Sequence, residues 1–107
     1  MKRFGQIIGL DPEKKNRYTE LHRECWPEVK RTIRECHIRN YSIYYRDGQL
    51  FSYFEYHGED FAADMQRMGE CPHTKKWWAL VGPMQRPLED RGDGEWWAAM
   101  EEVFHLD

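Results

Sequence analysis

The chain has 107 residues, a length typical of one domain, so we expect a single domain over residues 1–107. Its 16 lysines and arginines stand against 19 aspartates and glutamates, which gives a net charge of -3 at pH 7. This balance provides no basic surface for nucleic acid or for an anionic membrane, so we expect neither partner. The sequence also shows no secretory signal and no apolar run long enough to span a membrane. We therefore expect a cytoplasmic protein.

The three cysteines have no C-x-x-C spacing, which argues against a disulfide framework and is typical of free thiols in a reducing compartment. A metal site would have to combine Cys36 and His37 with Cys71 and His73. These pairs match zinc-ligand spacings poorly, so we expect no metal site. The motifs of dinucleotide-binding proteins, serine hydrolases and zinc proteases are absent too, so the sequence does not support any of these three functions.

The chain opens with a strand and a helix. Arg3 to Leu10 reads as a short strand rich in isoleucine and phenylalanine. Asp11 and Pro12 then form a helix start, with aspartate as the N-cap and proline at the first helical position. We predict a helix to about Cys36, which bends or restarts at Pro27 because proline lacks a backbone donor and clashes with the preceding turn.

Two β-rich segments, Ile38 to Arg46 and Gln49 to His57, are joined by Asp47-Gly48, which predicts a β-hairpin. The pattern places aromatic residues on both faces of these strands, so both faces need a cover. Helices would cover one face. A cavity or a second subunit would cover the other, and we therefore expect a homodimer.

The second half of the chain repeats the order of helix and strand. We predict a helix from Glu59 to Met68 that ends at Gly69, and another short helix after Pro72. Met84 to Glu95 is rich in proline, glycine and charge and is the predicted long loop, and Glu101 to Leu106 is the predicted closing strand. The resulting order predicts an α+β fold, a ferredoxin-like split βαβ sandwich with an antiparallel sheet, of the dimeric α+β barrel type.

Tyr18 and His22 are the first candidates for a functional site, because residues four apart share one helix face. The pair could also be the rim of a core with no chemical role. Tyr41 on the hairpin and Trp77 and Trp78 on the short helix add a hydroxyl and two indoles. Hydroxyl and imidazole groups bond sugar hydroxyls while a flat ring covers the C–H side, so this set suits a small polyol.

Four blocks of the sequence resemble the L-rhamnose mutarotase family. They are Y-x-x-x-H-x-x-x-W-P-E from Tyr18, N-Y-x-I-Y from Asn40, K-W-W from Lys76 and E-V-F-x-L from Glu102. They occur in the family's order and spacing and span nearly the whole chain. The loop from Met84 to Glu95 and the tryptophan pair after it match the family less well.

This resemblance implies a homodimeric, cofactor-independent enzyme that interconverts the α and β anomers of L-rhamnose or a related deoxy sugar. It implies that His22 is the proton donor. It also implies that Tyr18, Tyr41, Trp77 and Trp78 contact the sugar. The partner base is not identified by the resemblance, and Glu55, Glu102 and water are the candidates.

Two alternatives share these sequence features. A dimeric α+β barrel enzyme related to monooxygenases has the same strand order but would act on an aromatic substrate. A non-catalytic module would bind a small ligand without accelerating anomer exchange, since fold alone does not determine function. An exchange assay on several sugars separates the three hypotheses.

Overall fold

A computed structural model describes residues 1–107. The fold consists of one antiparallel sheet with helices packed on one face. None of the helices has the length and the apolar character that a membrane span requires. The strands and helices, in chain order, are β1 (Lys2–Leu10), α1 (Lys15–Arg23), α2 (Pro27–Glu35), β2 (Ile38–Arg46), β3 (Gln49–Tyr56), α3 (Phe61–Glu70), α4 (Pro72–Val81), β4 (Gln85–Arg86) and β5 (Ala98–Met100).

The sheet has the order β2-β3-β1, with β4 and β5 both pairing to the free edge of β1. Strand β3 therefore lies between β1 and β2, which is the split βαβ arrangement. The predicted ferredoxin-like α+β fold is confirmed. The core forms where alternate strand residues meet the helices: Ile8, Leu10 and Leu50 pack with Tyr18, Val29, Trp77 and Val81.

The first helical segment starts and breaks where proline dictates. The Asp11 carboxylate accepts a hydrogen bond from the Glu13 amide at 3.0 Å, and a 3-10 turn over Pro12–Lys14 leads into α1. Helix α1 ends at Arg23, and α2 begins with Pro27 at its first position. The predicted restart is confirmed, and Trp26 packs against the core at the break.

The hairpin turn has the predicted chemistry. Asp47 has a φ of 47° and Gly48 a φ of 81°, so both central residues adopt the left-handed conformation of a type I′ turn. Arg46 and Gln49 pair directly on either side of it. The α3 helix begins at Phe61, after the predicted start, because the Asp60 carboxylate caps the Ala63 amide at 3.1 Å.

Two predictions for the last quarter of the chain are wrong. Part of the predicted loop forms β4, which pairs with Gly9 and Leu10 because that edge of β1 is free, and Pro87 then ends the pairing. The closing strand is Ala98–Met100 instead of Glu101 to Leu106. Met100 already pairs with Gly5, so too few β1 residues remain to pair a six-residue strand, and residues 101–107 lie exposed without regular structure.

Candidate functional site

A cavity of about 1110 Å³ lies between the sheet and the helices. Sixteen of its 24 lining residues are hydrophobic, which is typical of a small-molecule site with a few polar groups. The fold brings all five predicted site residues together there: Tyr18, His22, Tyr41, Trp77 and Trp78 line this cavity.

His22 is held in one orientation by its own helix. Its Nδ1 lies 2.8 Å from the carbonyl oxygen of Tyr18, one turn earlier in α1. A carbonyl only accepts, so Nδ1 carries a proton, and the neutral ring presents the lone pair of Nε2. Burial lowers the pKa of His22 below its usual value, more than the bond to the Tyr18 carbonyl raises it. At neutral pH His22 is therefore an uncharged proton acceptor.

Tyr18 stacks on His22, with ring centroids 4.2 Å apart and planes inclined by 26°. Its side chain is buried, and burial raises its pKa to about 12, against an opposing effect of the hydrogen bond from Gln85. Tyr18 therefore keeps its phenolic proton at neutral pH. The two functional groups lie side by side because the helical repeat places residues four apart on one face.

Tyr41 reaches the cavity through a β-bulge. Arg39 pairs with Glu55 but Ser42 pairs with Tyr53, so β2 has one extra residue between them. Asn40 takes up this residue with a φ of 51°. As a result Tyr41 turns to the same face as Ile38, and both line the cavity although strict alternation would separate them.

The hydroxyl of Tyr41 points inward while the rest of the residue stays accessible. The whole residue is 43% exposed, yet burial of its hydroxyl raises its pKa, and Tyr18 and Cys25 raise it further. The ring contacts Phe54 edge-on at 5.6 Å between centroids. Tyr41 therefore offers the cavity an uncharged hydroxyl near that of Tyr18.

The adjacent tryptophans divide their roles as their positions on α4 predict. Trp77 is 6% exposed and packs edge-on against His22 at 5.1 Å and against Trp26 at 5.2 Å. Trp78 is 49% exposed and contributes an open ring to the cavity wall. Trp77 thus supports the imidazole, and Trp78 is free to cover a ligand.

Sequence reasoning missed four further residues that line the cavity. Gln85 enters it from β4, and Glu95, Trp96 and Trp97 enter from the segment before β5. The signal that could have found them is the second tryptophan pair beside a long connection, since binding residues concentrate on such segments. The pairing of β4 with β1 brings this segment to the cavity.

Two carboxylates suggested as the partner base do not line the cavity. Glu55 accepts hydrogen bonds from Asn40 at 2.8 Å and from Tyr53 at 2.8 Å, on the sheet face opposite the helices. Glu102 forms an ion pair with Arg3 at 2.9 Å. Both acids are thus bound to other side chains away from His22.

One buried polar atom in the cavity wall has no partner within the chain. Thr74 is 2% exposed, and its hydroxyl makes no hydrogen bond. Buried polar groups are normally paired, so this oxygen is available to a polar ligand.

No three histidine, cysteine or acidic side chains come close enough together to hold a metal ion. The cavity therefore combines hydroxyl and imidazole groups with aromatic faces.

Comparison with known proteins agrees with this chemistry. The L-rhamnose mutarotase family model matches residues 3–106. An L-rhamnose mutarotase from Lactiplantibacillus plantarum is 34% identical over 109 aligned residues that cover all of both chains.

Solved structures share the fold. The L-rhamnose mutarotase from Formosa agariphila superposes with a TM-score of 0.79 at 23% identity, covering all of both chains. An antibiotic biosynthesis monooxygenase superposes with a TM-score of 0.60 at 20% identity, over 96% of this chain and 99% of the other. These two likenesses concern the fold alone, whereas the sequence match distinguishes the mutarotase hypothesis from the monooxygenase one. The resemblance expected from the four sequence blocks is confirmed: this chain belongs to the L-rhamnose mutarotase family.

Proposed function

We propose that this protein is a mutarotase that interconverts the α and β anomers of L-rhamnose or a related deoxy sugar. One observation carries the proposal: in a member of the L-rhamnose mutarotase family, the Nε2 edge of His22 and the hydroxyls of Tyr18 and Tyr41 share one cavity. Anomer exchange needs proton transfer at two neighbouring oxygens and no redox chemistry. Side chains of these types supply such transfers.

We propose that His22 moves the proton of the anomeric hydroxyl. Nε2 takes this proton while the bond between C1 and the ring oxygen breaks and a second group protonates the ring oxygen, which leaves an open-chain aldehyde with a free hydroxyl. After rotation about the C1–C2 bond, this hydroxyl attacks the other face of the carbonyl and gives its proton back to the same group. Nε2 then returns its proton to the carbonyl oxygen, so His22 is the proton donor of ring closure. General acid–base help of this kind contributes about 10²- to 10⁴-fold.

The remaining predicted residues would hold the sugar in place. The open ring of Trp78 offers a flat surface for the C–H side of a pyranose, and Tyr41 and Thr74 offer hydroxyls for its polar side. Trp77 would act beneath this layer by fixing the imidazole. The apolar majority of the wall suits a sugar that carries a methyl group.

Saturation-transfer NMR on L-rhamnose tests the proposal directly. We expect the wild-type protein to accelerate anomer exchange and His22→Ala to lose nearly all of the acceleration, with an unchanged circular dichroism spectrum. His73→Ala, which changes an exposed histidine of α4 outside the cavity, should keep full activity. Sugar binding without acceleration by the wild type would favour the binding module. Turnover of an aromatic substrate without effect on the sugar would favour the monooxygenase-like enzyme.

We also propose that the protein is a homodimer that packs through the sheet face opposite the helices. Tyr44 on this face is 66% exposed, and it pairs with Phe51, which shares the same face. The C-terminal residues Val103 and Phe104 are 88% and 79% exposed, which is unusual for a monomer's apolar side chains. Sedimentation equilibrium should give twice the chain mass, and Tyr44→Arg should shift it toward the monomer. A wild-type monomer at micromolar concentration would refute the proposal.

We propose that the protein is located in the cytoplasm. Cys25, Cys36 and Cys71 are all free thiols in the folded chain, which is usual for proteins in a reducing compartment. Fractionation of cells that produce the protein would test it, and recovery from the medium or the envelope fraction would contradict it.

A further inference from the structure

A chain of two hydrogen bonds leads from the connection before β5 to Tyr18. The indole Nε1 of Trp96 lies 2.7 Å from Oε1 of Gln85. The amide Nε2 of the same glutamine lies 3.0 Å from the hydroxyl oxygen of Tyr18. All three side chains line the cavity.

The donors and acceptors of the three side chains allow only one donor-to-acceptor direction along these two hydrogen bonds. An indole N–H only donates, so the atom of Gln85 that faces Trp96 must be the carbonyl oxygen. The amide nitrogen, which only donates, then faces Tyr18. Tyr18 must accept this bond with its oxygen, and its own proton is left free. A 180° rotation of the Gln85 amide would lose the bond from the Trp96 indole and would let Tyr18 donate to the Gln85 carbonyl oxygen, so it is Trp96 that keeps the Tyr18 hydroxyl an acceptor of this bond.

The free proton of Tyr18 has no acceptor within the chain. The only side-chain hydrogen bond of its hydroxyl is the one from Gln85, and the residue is buried against the cavity. Beside it, the neutral His22 offers a lone pair. The pair therefore presents one donor and one acceptor side by side. The two oxygens that exchange protons in a pyranose, the ring oxygen and the hydroxyl oxygen on the anomeric carbon, are also neighbours.

We infer that Trp96 and Gln85 are positioning residues that hold the Tyr18 hydroxyl as the proton donor to the sugar ring oxygen, opposite His22 as the acceptor. The inference rests on the proposed mutarotase activity. It assigns the acid that the proposed reaction requires, and it gives the second tryptophan pair a role.

The proton and electron balance of ring opening follows from this arrangement. His22 takes the anomeric proton, and the O–H electron pair forms the C=O bond. The bond between C1 and the ring oxygen breaks with its electron pair on that oxygen, which receives the phenolic proton of Tyr18. The resulting phenolate is stabilised by the Gln85 N–H, which lowers the pKa of Tyr18 against the effect of burial. Ring closure returns both protons, so no co-reactant is consumed.

Gln85→Glu tests the inference because it keeps the side-chain shape and reverses the hydrogen bond. An ionised carboxylate only accepts, so it would take the proton of Tyr18 that the sugar requires. We expect exchange on L-rhamnose to fall about 10- to 100-fold relative to wild type at pH 8. Protonation of the introduced carboxylate restores a donor, so the ratio of variant to wild-type rate should rise as the pH is lowered toward 5. The introduced charge also favours protonation of the neighbouring His22, so the same ratio measured in a Tyr18→Phe background, which lacks the phenolic proton, serves as the reference at each pH.

Three further variants make the outcome decisive. Gln66→Glu, the same change at an exposed position of α3, should leave the rate and its pH dependence unchanged. Trp96→Phe removes the donor that orients Gln85 and should lower the rate at every pH without the acid recovery. In a Tyr18→Phe background, Gln85→Glu should have no further effect at pH 8 and should show no recovery in acid.

The possible failures are distinguishable. A variant-to-wild-type ratio that shows no rise in acid relative to the Tyr18→Phe reference, or an additional loss at pH 8 in the Tyr18→Phe background, would overturn the inference while the wild type still accelerates exchange. A wild type without acceleration would instead reject the proposed function. Circular dichroism and thermal unfolding of each variant at every pH separate loss of the fold from loss of the donor.

Discussion

His22 donates a hydrogen bond from Nδ1 to the backbone carbonyl of Tyr18 at 2.8 Å, and the two rings stack at 4.2 Å. The backbone of the first residue thus fixes the tautomer of the second, because the carbonyl can only accept. The four-residue spacing also places the side chains of Tyr18 and His22 on the same face of α1, in contact with each other. The imidazole needs no carboxylate to orient it, in contrast to many catalytic histidines.

The pH dependence of anomer exchange should follow from the lowered pKa of His22. The acting species is the neutral imidazole, and burial favours this form. We expect the catalysed rate to rise with pH through a midpoint below 6.5, the unperturbed value, and to be flat between pH 7 and 8. NMR exchange rates corrected for the uncatalysed reaction measure this profile. A rate that falls tenfold per pH unit above pH 6 would show that the imidazolium acts instead.

Trp77 and Trp78 offer a matched comparison of stability against binding. Trp77 is 6% exposed and supports both His22 and Trp26, so Trp77→Ala should reduce the free energy of unfolding by about 3–5 kcal/mol. Trp78 is 49% exposed, so Trp78→Ala should cost about 1 kcal/mol or less but weaken sugar binding. Urea unfolding and sugar titration measure the two effects. Equal losses of stability would contradict this division.

The stability of the protein should depend on glycine at position 48 of the hairpin turn. Gly48 has a φ of 81°, where a Cβ is strained, so Gly48→Ala should destabilise the protein by about 1–2 kcal/mol. Gly69 is the control because it lies within α3 and an added Cβ would make only ordinary van der Waals contact with the Trp78 ring, at 3.6 Å. Gly69→Ala should be neutral or stabilise by about 0.4–1 kcal/mol. Urea unfolding midpoints of the two variants should therefore shift in different directions or by clearly different amounts.

Glu55 should contribute to stability in a defined pH range. Hydrogen bonds from Asn40, Tyr53 and His57 lower its pKa to about 2. A carboxyl with a depressed folded pKa stabilises the fold above its unfolded pKa of about 4.3, and this contribution is lost as the pH falls toward 2. The difference in unfolding midpoint between wild type and Glu55→Gln should therefore be full at pH 6 and shrink on acidification.

The control for this experiment is Glu59→Gln, at an exposed acid that makes no side-chain hydrogen bond. It should show no comparable shrinkage. If the difference for Glu55→Gln were the same at pH 6 and pH 3, the network around Glu55 would not stabilise the charged form.

Local chemistry was sufficient to predict much of this protein. The restart at Pro27, the type I′ turn at Asp47-Gly48 and the shared face of Tyr18 and His22 all follow from interactions between residues a few positions apart. The aromatic hairpin strands and the order of elements also predicted the ferredoxin-like fold. For these features the sequence contains the physical cause itself.

Other features depended on contacts between distant segments, which no local pattern encodes. The bulge at Asn40 turned Tyr41 to the cavity by changing the pairing register with β3. The free edge of β1 drew Gln85 into a strand and stopped the closing strand at Met100. The Trp96–Gln85–Tyr18 chain joins residues up to 78 positions apart, counted from Tyr18 to Trp96, so only the folded sheet could bring them within hydrogen-bond distance. The sequence by itself determined which groups were available, and the tertiary structure decided which of them face one another.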